Sequence, residues 1–277
     1  KGALVYTSDI EGKITKFNLT NMTHEPGSAK TNKSLLNQTQ GGGKQIKLYD
    51  STTLFTAGSN STNQRYMFHS MDATIGKSTN KLWLYAGTGN YERIANKSTG
   101  VENLMLGIND PWYPEYKEIN KPTKADDLSE CVNTTNSTSA LSCPNVTGSR
   151  GWYIVLDHFK KVTAEPTVSS GLVYFPIYKP TTSVNACSLG DAFICAVDDE
   201  CGTNLSSRLG QNTRNANANE KCRYVGQGVL SRIVTFAGKL FANIAGQSTD
   251  LNKKDLVQID GSTGDVSTYR NSWRMNY

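Results

Sequence analysis

Apolar residues alternate with polar ones in short bursts along this chain, and the 3.6-residue period of an amphipathic helix is scarce. The opening burst predicts a strand over Ala3–Thr7, a turn over Asp9–Gly12 and a return strand over Lys13–Leu19. In the return strand, Ile14, Phe17 and Leu19 are expected to make apolar contacts, while Lys13, Thr15 and Lys16 meet solvent. A related unit lies near the end: a strand within Gly238–Gly246, a strand over Leu256–Ile259, a turn over Asp260–Gly264 and a strand over Asp265–Tyr269. Between them, Lys81–Asn90, Gly171–Tyr178, Phe193–Gly202 and Ser231–Phe236 read as further strand segments. Many short strands with recurring turn signals predict an all-β sandwich, barrel or propeller. Repeated strand–turn–strand units with glycine punctuation favour the β-propeller. Polar insertions interrupt the pattern at residues 21–43, 119–149 and 202–221. Helix is limited to a turn or two around Pro111–Tyr116 or Asp126–Cys131.

Composition sharpens this picture. Charged residues make up 19% of the 277 and apolar residues 37%, both low for a globular chain. The difference is taken up by Asn, Ser, Thr and Gly, which favour turns and weigh against a helical bundle. No apolar run is long enough to span a bilayer as a helix. The net charge of +5 is carried largely by short pairs such as Lys13 with Lys16 and Lys160 with Lys161. These read as solvated lysines on edges and turns, and no basic block points to nucleic acid.

Six cysteines (Cys131, Cys143, Cys187, Cys195, Cys201 and Cys222) form no C-x-x-C pair and have no neighbouring histidine, so zinc spacing is absent. An even number in a loop-rich chain predicts disulfides and an oxidising compartment. Cys131 and Cys143 most simply close a local loop. The other four admit three pairings, among which Cys187–Cys201 with Cys195–Cys222 is preferred. Asn-x-Ser/Thr sequons at Asn18, Asn21, Asn32, Asn37, Asn60, Asn96, Asn133, Asn136, Asn145 and Asn204 are candidate glycan acceptors, some of them arising from the Asn-rich composition alone.

Catalytic signals are weak. No G-x-S-x-G elbow is present. His158 reads as an exposed turn histidine, and His69 as a buried, satisfied one. Asp198, Asp199 and Glu200 are consecutive and read as a turn before Cys201 rather than an acid/base pair. Gly87-Thr88-Gly89 follows a strand with no helix signal after it, so it is a strand-end turn and not a phosphate loop. Asp250–Asp255 lacks the oxygen spacing of a calcium loop. The aromatic loop at Trp112, Tyr113 and Tyr116, interleaved with prolines, is a candidate binding patch, with a loop packed on the sheet as the plainer reading.

Several phrases, in order, resemble the C-terminal β-propeller of the PilY/PilC family of type IV pilus tip-associated proteins. VYTSDIEGKITKFNL (Val5–Leu19) is similar to the family's strand–Asp-x-x-Gly–strand phrase. LWLYAGTGNYERI (Leu82–Ile94) and LMLGIND (Leu104–Asp110) are similar to its aromatic G-T-G strand and the strand that follows. The long stretch Gly151–Cys187, beginning GWYIVLDHF, is the most specific match, and NSWR (Asn271–Arg274) resembles the terminal Ser-Trp-Arg. The resemblance implies that residues 1–277 are the C-terminal portion of one irregular propeller, seven blades being the working number. Further blades and an N-terminal domain are expected upstream. It implies an extracellular or cell-surface, outer-membrane-associated location at the pilus tip, with minor pilins and a surface or host-cell ligand as partners, and a role in assembly and adhesion without catalysis. No cofactor is expected within this chain; a calcium loop of the kind some members carry would lie upstream. The competing readings are a secreted or periplasmic quinoprotein-like propeller enzyme, which lacks its adjacent-cysteine and tryptophan-repeat signals here, and a structural propeller subunit decorating a filament.

Overall fold

A computed structural model describes residues 3–19, 22–24, 32–34, 39–40, 43–44, 49–130, 150–157, 159–181, 189–209, 222–246 and 256–261. The described residues are all-β, arranged as four main sheets with two small hairpins and no α-helix. In the first sheet, β1 (Leu4–Ser8) and β2 (Lys13–Asn18) form an antiparallel hairpin. Its turn is closed by Gly12 N–H on the Asp9 carbonyl at 2.9 Å and by Lys13 N–H on Asp9 Oδ1 at 2.9 Å. Gly12 has φ +74°, a conformation that a Cβ would strain. Two short hairpins follow, β3 (Met22–His24) with β4 (Asn32–Ser34) and β5 (Thr39–Gln40) with β6 (Gly43–Lys44). Then β7 (Asp50–Thr56) returns to pair with β2.

The second sheet contains β8 (Asp72–Ile75), β9 (Leu82–Gly87) and β10 (Asn103–Asp110). After β10 the chain crosses back to the first sheet, where β11 (Thr123–Lys124) runs parallel to β7. A single 3₁₀ turn over Ala125–Asp127 leads to β12 (Ser129–Glu130), which pairs in parallel with β13 (Gly151–Leu156), itself paired with β10. The third sheet comprises β14 (Lys161–Val162), β15 (Thr167–Ser169), β16 (Leu172–Lys179), β17 (Asp191–Asp198) and β18 (Arg223–Gln227). The fourth holds β19 (Val229–Leu230), β20 (Val234–Phe236), β21 (Lys239–Ala245) and β22 (Leu256–Asp260).

The sheets stack face to face in chain order. Strand side chains alternate, so one strand serves two cores. From β9, Leu82, Leu84 and Ala86 pack with Ile14 and Phe55 of the first sheet. Trp83 and Tyr85 face the other way and pack with Val173, Phe175 and Phe193 of the third. From β16, Leu172 and Tyr174 meet Leu240 and Ala242 of the fourth sheet. The middle sheets are therefore apolar on both faces, and β9 and β10 are buried along their full lengths. Gly87 lets the second and third sheets approach: an added Cβ would lie 2.3 Å from Val162 Cγ2. The strands expected over Ala3–Thr7, Lys13–Leu19, Gly171–Tyr178 and Leu256–Ile259 and within Gly238–Gly246 appear within a residue or two, whereas β9 and β17 end before Asn90 and Gly202 and β20 starts after Ser231. Asp265–Tyr269 lies outside the described residues.

One expected face is corrected. On β2 the buried residues are Ile14, Lys16 and Asn18, while Phe17 is half-buried and Leu19 is 50% exposed. A period of two cannot place Ile14 and Phe17 on the same face. Lys160 and Lys161 are buried as well, so three of the lysines read as solvated lie inside the protein.

Candidate functional site

The aromatic loop begins where β10 ends, and it is anchored by buried charge. Asp110 Oδ2 accepts Lys16 Nζ at 2.6 Å and the Tyr6 hydroxyl at 2.7 Å. Lys16 and Asp110 are 0% and 1% exposed, so this ion pair is desolvated and joins the first sheet to the second. Asp110 Oδ1 accepts the Trp112 N–H at 3.0 Å, and Lys16 Nζ also donates to the Glu115 carbonyl at 2.6 Å. The Glu115 N–H closes a tight turn on the Trp112 carbonyl at 2.7 Å, around a cis Tyr113–Pro114 bond. Burial, reinforced by the Asp110 charge, pushes the Tyr6 phenol far above its ordinary range.

This arrangement sorts the three aromatic candidates. Trp112 is half-buried, with the Arg150 guanidinium 4.4 Å and Lys117 Nζ 5.2 Å from its ring centroid. Tyr116 is half-buried against Lys16. Tyr113 is 42% exposed and stands at the loop tip. The loop is thus packed at its base and open at its tip. Further along, Thr52 Oγ1 of β7 accepts the Ile119 N–H at 2.8 Å, so the crossing segment is held again before β11. Sequence reasoning found the aromatics but missed Tyr6, Lys16 and Asp110. The available signal was a lysine two residues from a core isoleucine on an alternating strand.

Between the second and third sheets, Lys160 Nζ pairs with Asp157 Oδ1 at 2.8 Å and lies over the Phe193 ring. Among the described residues Lys161 Nζ has only carbonyl acceptors, those of Asn96 at 2.9 Å and Phe159 at 3.1 Å. Burial lowers its pKa to about 8. Asp198, Asp199 and Glu200 do form the turn after β17, as expected: Asp198 Oδ1 accepts the N–H groups of Glu200 and Cys201. His69 departs from its expectation. It is half-buried with its ring edge-on to Tyr91, and its Nε2 has no hydrogen-bond partner among the described residues. Burial lowers its pKa. The Gly87–Gly89 segment ends β9, with Thr88 Oγ1 accepting the Leu104 N–H at 2.8 Å.

A disulfide joins Cys195 of β17 to Cys222, just before β18, with the Cα atoms 4.5 Å apart. Cys201 is also disulfide-bonded. Cys131, Cys143 and Cys187 lie outside the described residues. Among the sequons, Asn18 is 1% exposed and offers no free surface for a glycan in the folded chain. Asn60 is exposed, and Asn96 and Asn204 are partly so. Of Asn32 only the backbone is described, and Asn21, Asn37, Asn133, Asn136 and Asn145 fall outside, as do His158 and Asp250–Asp255. Among the described residues no group of three or more His, Cys, Asp or Glu is placed to hold a metal ion, and no helix is long and apolar enough to cross a membrane.

No protein-family model matches the chain, and no curated protein matches it in sequence. A solved structure, the C-terminal domain of Pseudomonas aeruginosa PilY1, shares the fold. The TM-score is 0.53 at 15% identity, over 87% of this chain and 55% of that one. The chain thus spans about half the length of the domain it resembles. An α-L-arabinofuranosidase from Clostridium thermocellum is similar only at TM-score 0.31 and 12% identity, over 95% of this chain and 70% of that one.

Proposed function

We propose that the chain is part of a β-propeller of the PilY/PilC kind, displayed outside a bacterial cell at the tip of a type IV pilus. There it acts in pilus assembly and in adhesion to surfaces or host cells, through loops on a rigid scaffold and without catalysis. The observation that carries this reading is the face-to-face stack of four sheets in chain order, in the fold shared with the PilY1 C-terminal domain. The ordered sequence phrases add to it. A propeller needs every sheet packed between two neighbours. The outer face of the fourth sheet exposes Val234, Phe236 and Leu256, with Phe236 at 73%, and that of the first exposes Val5 and Tyr49. In the proposed protein further sheets cover these faces and close the ring, seven blades in all. The Cys195–Cys222 disulfide suits an oxidising location of this type.

Binding is assigned to loops such as the one at Tyr113, because the Lys16–Asp110 pair fixes its base while its tip stays open. Minor pilins and a surface or host ligand are the proposed partners. The test is labelling of native filaments with an antibody to this chain, together with deletion of its gene. Gold at pilus ends, with fewer pili or weaker adhesion after deletion, is expected. Normal pilus number with normal adhesion, or label confined to the cytoplasm, refutes the proposal.

A further inference from the structure

At one end of the packing between the second and third sheets lies a cavity of about 360 Å³, large enough for a small organic ligand. Three turns build it: Lys77–Ser78 before β9, Ser170–Gly171 before β16, and Asp198–Cys201 after β17, with Leu205 and Arg208 completing the wall. It is separate from the aromatic loop and does not depend on the pilus assignment.

Its three carboxylates differ in what they already do. Asp198 Oδ1 caps the N–H groups of Glu200 and Cys201. Glu200 is committed too: Oε1 accepts the Ser78 N–H at 2.7 Å and Oε2 the Thr79 N–H at 2.8 Å. Burial alone would raise the Glu200 pKa, but these contacts outweigh it and hold the carboxyl below its usual range. Asp199 is the exception. It is 8% exposed, it lines the cavity, and among the described residues its carboxylate meets the N–H groups of Glu200 and of Asp199 itself but no cation and no side-chain donor. Burial, and then the charges of Asp198 and Glu200, push its pKa up to about 6, with partial relief from the N–H groups of Glu200 and of Asp199 itself. The environment therefore holds a buried anion with no cation against it. The Asp199 charge also reaches Tyr85, which packs between the second and third sheets and does not line the cavity. The Tyr85 hydroxyl is fully buried without a hydrogen-bond partner among the described residues, and its pKa is raised by burial and next by the charge of Asp199.

The rest of the wall restricts what can fill the site. Lys77 and Arg208 line the same cavity from exposed positions, so a ligand that also carries an anion is modestly favoured over a simple cation. Leu205, half-buried at the wall, adds apolar surface. Among the described residues no cluster suits a metal ion. We propose that this cavity binds a small zwitterion of the amino-acid class, with its ammonium on the Asp199 carboxylate, its carboxylate toward Lys77 and Arg208, and an apolar side chain against Leu205.

The experiment is isothermal titration calorimetry of the protein with L-leucine, with isoamylamine (leucine without the carboxylate) and with isocaproate (leucine without the ammonium). L-leucine is expected to bind at millimolar concentration or better near pH 8. Isoamylamine is expected to bind about five- to tenfold more weakly, since it loses only exposed charge pairs. Isocaproate is expected to give no heat. Asp199→Asn should weaken L-leucine more than about a hundredfold, because the ammonium then meets a neutral group. The double variant Lys77→Ala with Arg208→Ala should behave toward L-leucine as the wild type does toward isoamylamine. Since Asp199→Asn removes an uncompensated buried charge, its urea midpoint at neutral pH should be no lower than wild type. If that variant nevertheless fails to fold, the wild type decides the matter: affinity for L-leucine should fall as pH drops through 6, when Asp199 gains a proton. Absence of L-leucine binding at pH 8, equal binding of isocaproate, or affinity unchanged by Asp199→Asn or by protonation overturns the proposal.

Discussion

Replacing Lys16 with methionine isolates the contribution of the buried ion pair at the junction of the first two sheets. Methionine keeps the aliphatic bulk of the lysine stem but leaves Asp110 buried at 1% exposure without its counter-ion. At 2.6 Å the gross attraction is about 6 kcal/mol for an effective dielectric of about 20. Desolvation offsets much of that in the intact pair. Breaking the pair is a different operation, because the surviving charge keeps its desolvation cost while losing its partner. The expected loss is about 3–5 kcal/mol. Urea unfolding should show a lower midpoint with an unchanged slope. Asp110→Asn should also be destabilising, and combining it with Lys16→Met should cost well under the sum of the two, since removing both charges relieves the orphan that each single change creates. Because Lys16 Nζ also holds the Glu115 carbonyl, hydrogen exchange at the Glu115 N–H should speed up in Lys16→Met even under conditions where the whole chain stays folded. A loss under about 1 kcal/mol with additive singles would refute the view that this pair is a desolvated clamp.

Three further outcomes follow from other parts of the fold. Gly87→Ala should cost about 1–3 kcal/mol by overpacking, since the new methyl would meet Val162, and a smaller partner in the variant Val162→Ala should recover part of that loss in urea melts. Replacing both Cys195 and Cys222 with alanine opens a loop with a sequence separation of 27, and the chain-entropy estimate is a loss of about 3.5 kcal/mol at 25 °C, measurable against the oxidised wild type. Lys161 has a folded pKa of about 8, below its ordinary 10.5, so the unfolded chain binds more protons between those values and stability rises with pH across that window. Lys161→Met should therefore be more stable than wild type near pH 7, with an advantage that shrinks as pH climbs from 8 to 10.5, and an advantage independent of pH would contradict the assignment.

The turns and strands were legible because their chemistry is local. Asp9-x-x-Gly12 specifies a tight turn from four residues, and the continuous apolar run Leu172–Tyr178, behind the Gly171 turn, specifies a strand buried on both faces. The reading failed where a side chain is defined by a partner far along the chain. Lys16 and Asp110 lie 94 residues apart, and nothing beside either one shows that the other will neutralise it. A lysine on an alternating strand reads as solvated because unpaired lysine is excluded from cores, and that rule says nothing of a lysine whose counter-ion arrives from the next sheet. The same reasoning separates two of the buried aspartates, Asp110 and Asp199. Asp110 ends a strand and looks like any turn aspartate, yet it is fully engaged by Lys16, Tyr6 and the Trp112 N–H. Asp199 looks like a turn aspartate too, but burial has removed water from it and no cation has replaced the water. Asp110 reads as a strand end and Asp199 as a turn residue, and both stand there; only the distance to a charge on another sheet distinguishes a structural clamp from a candidate binding group.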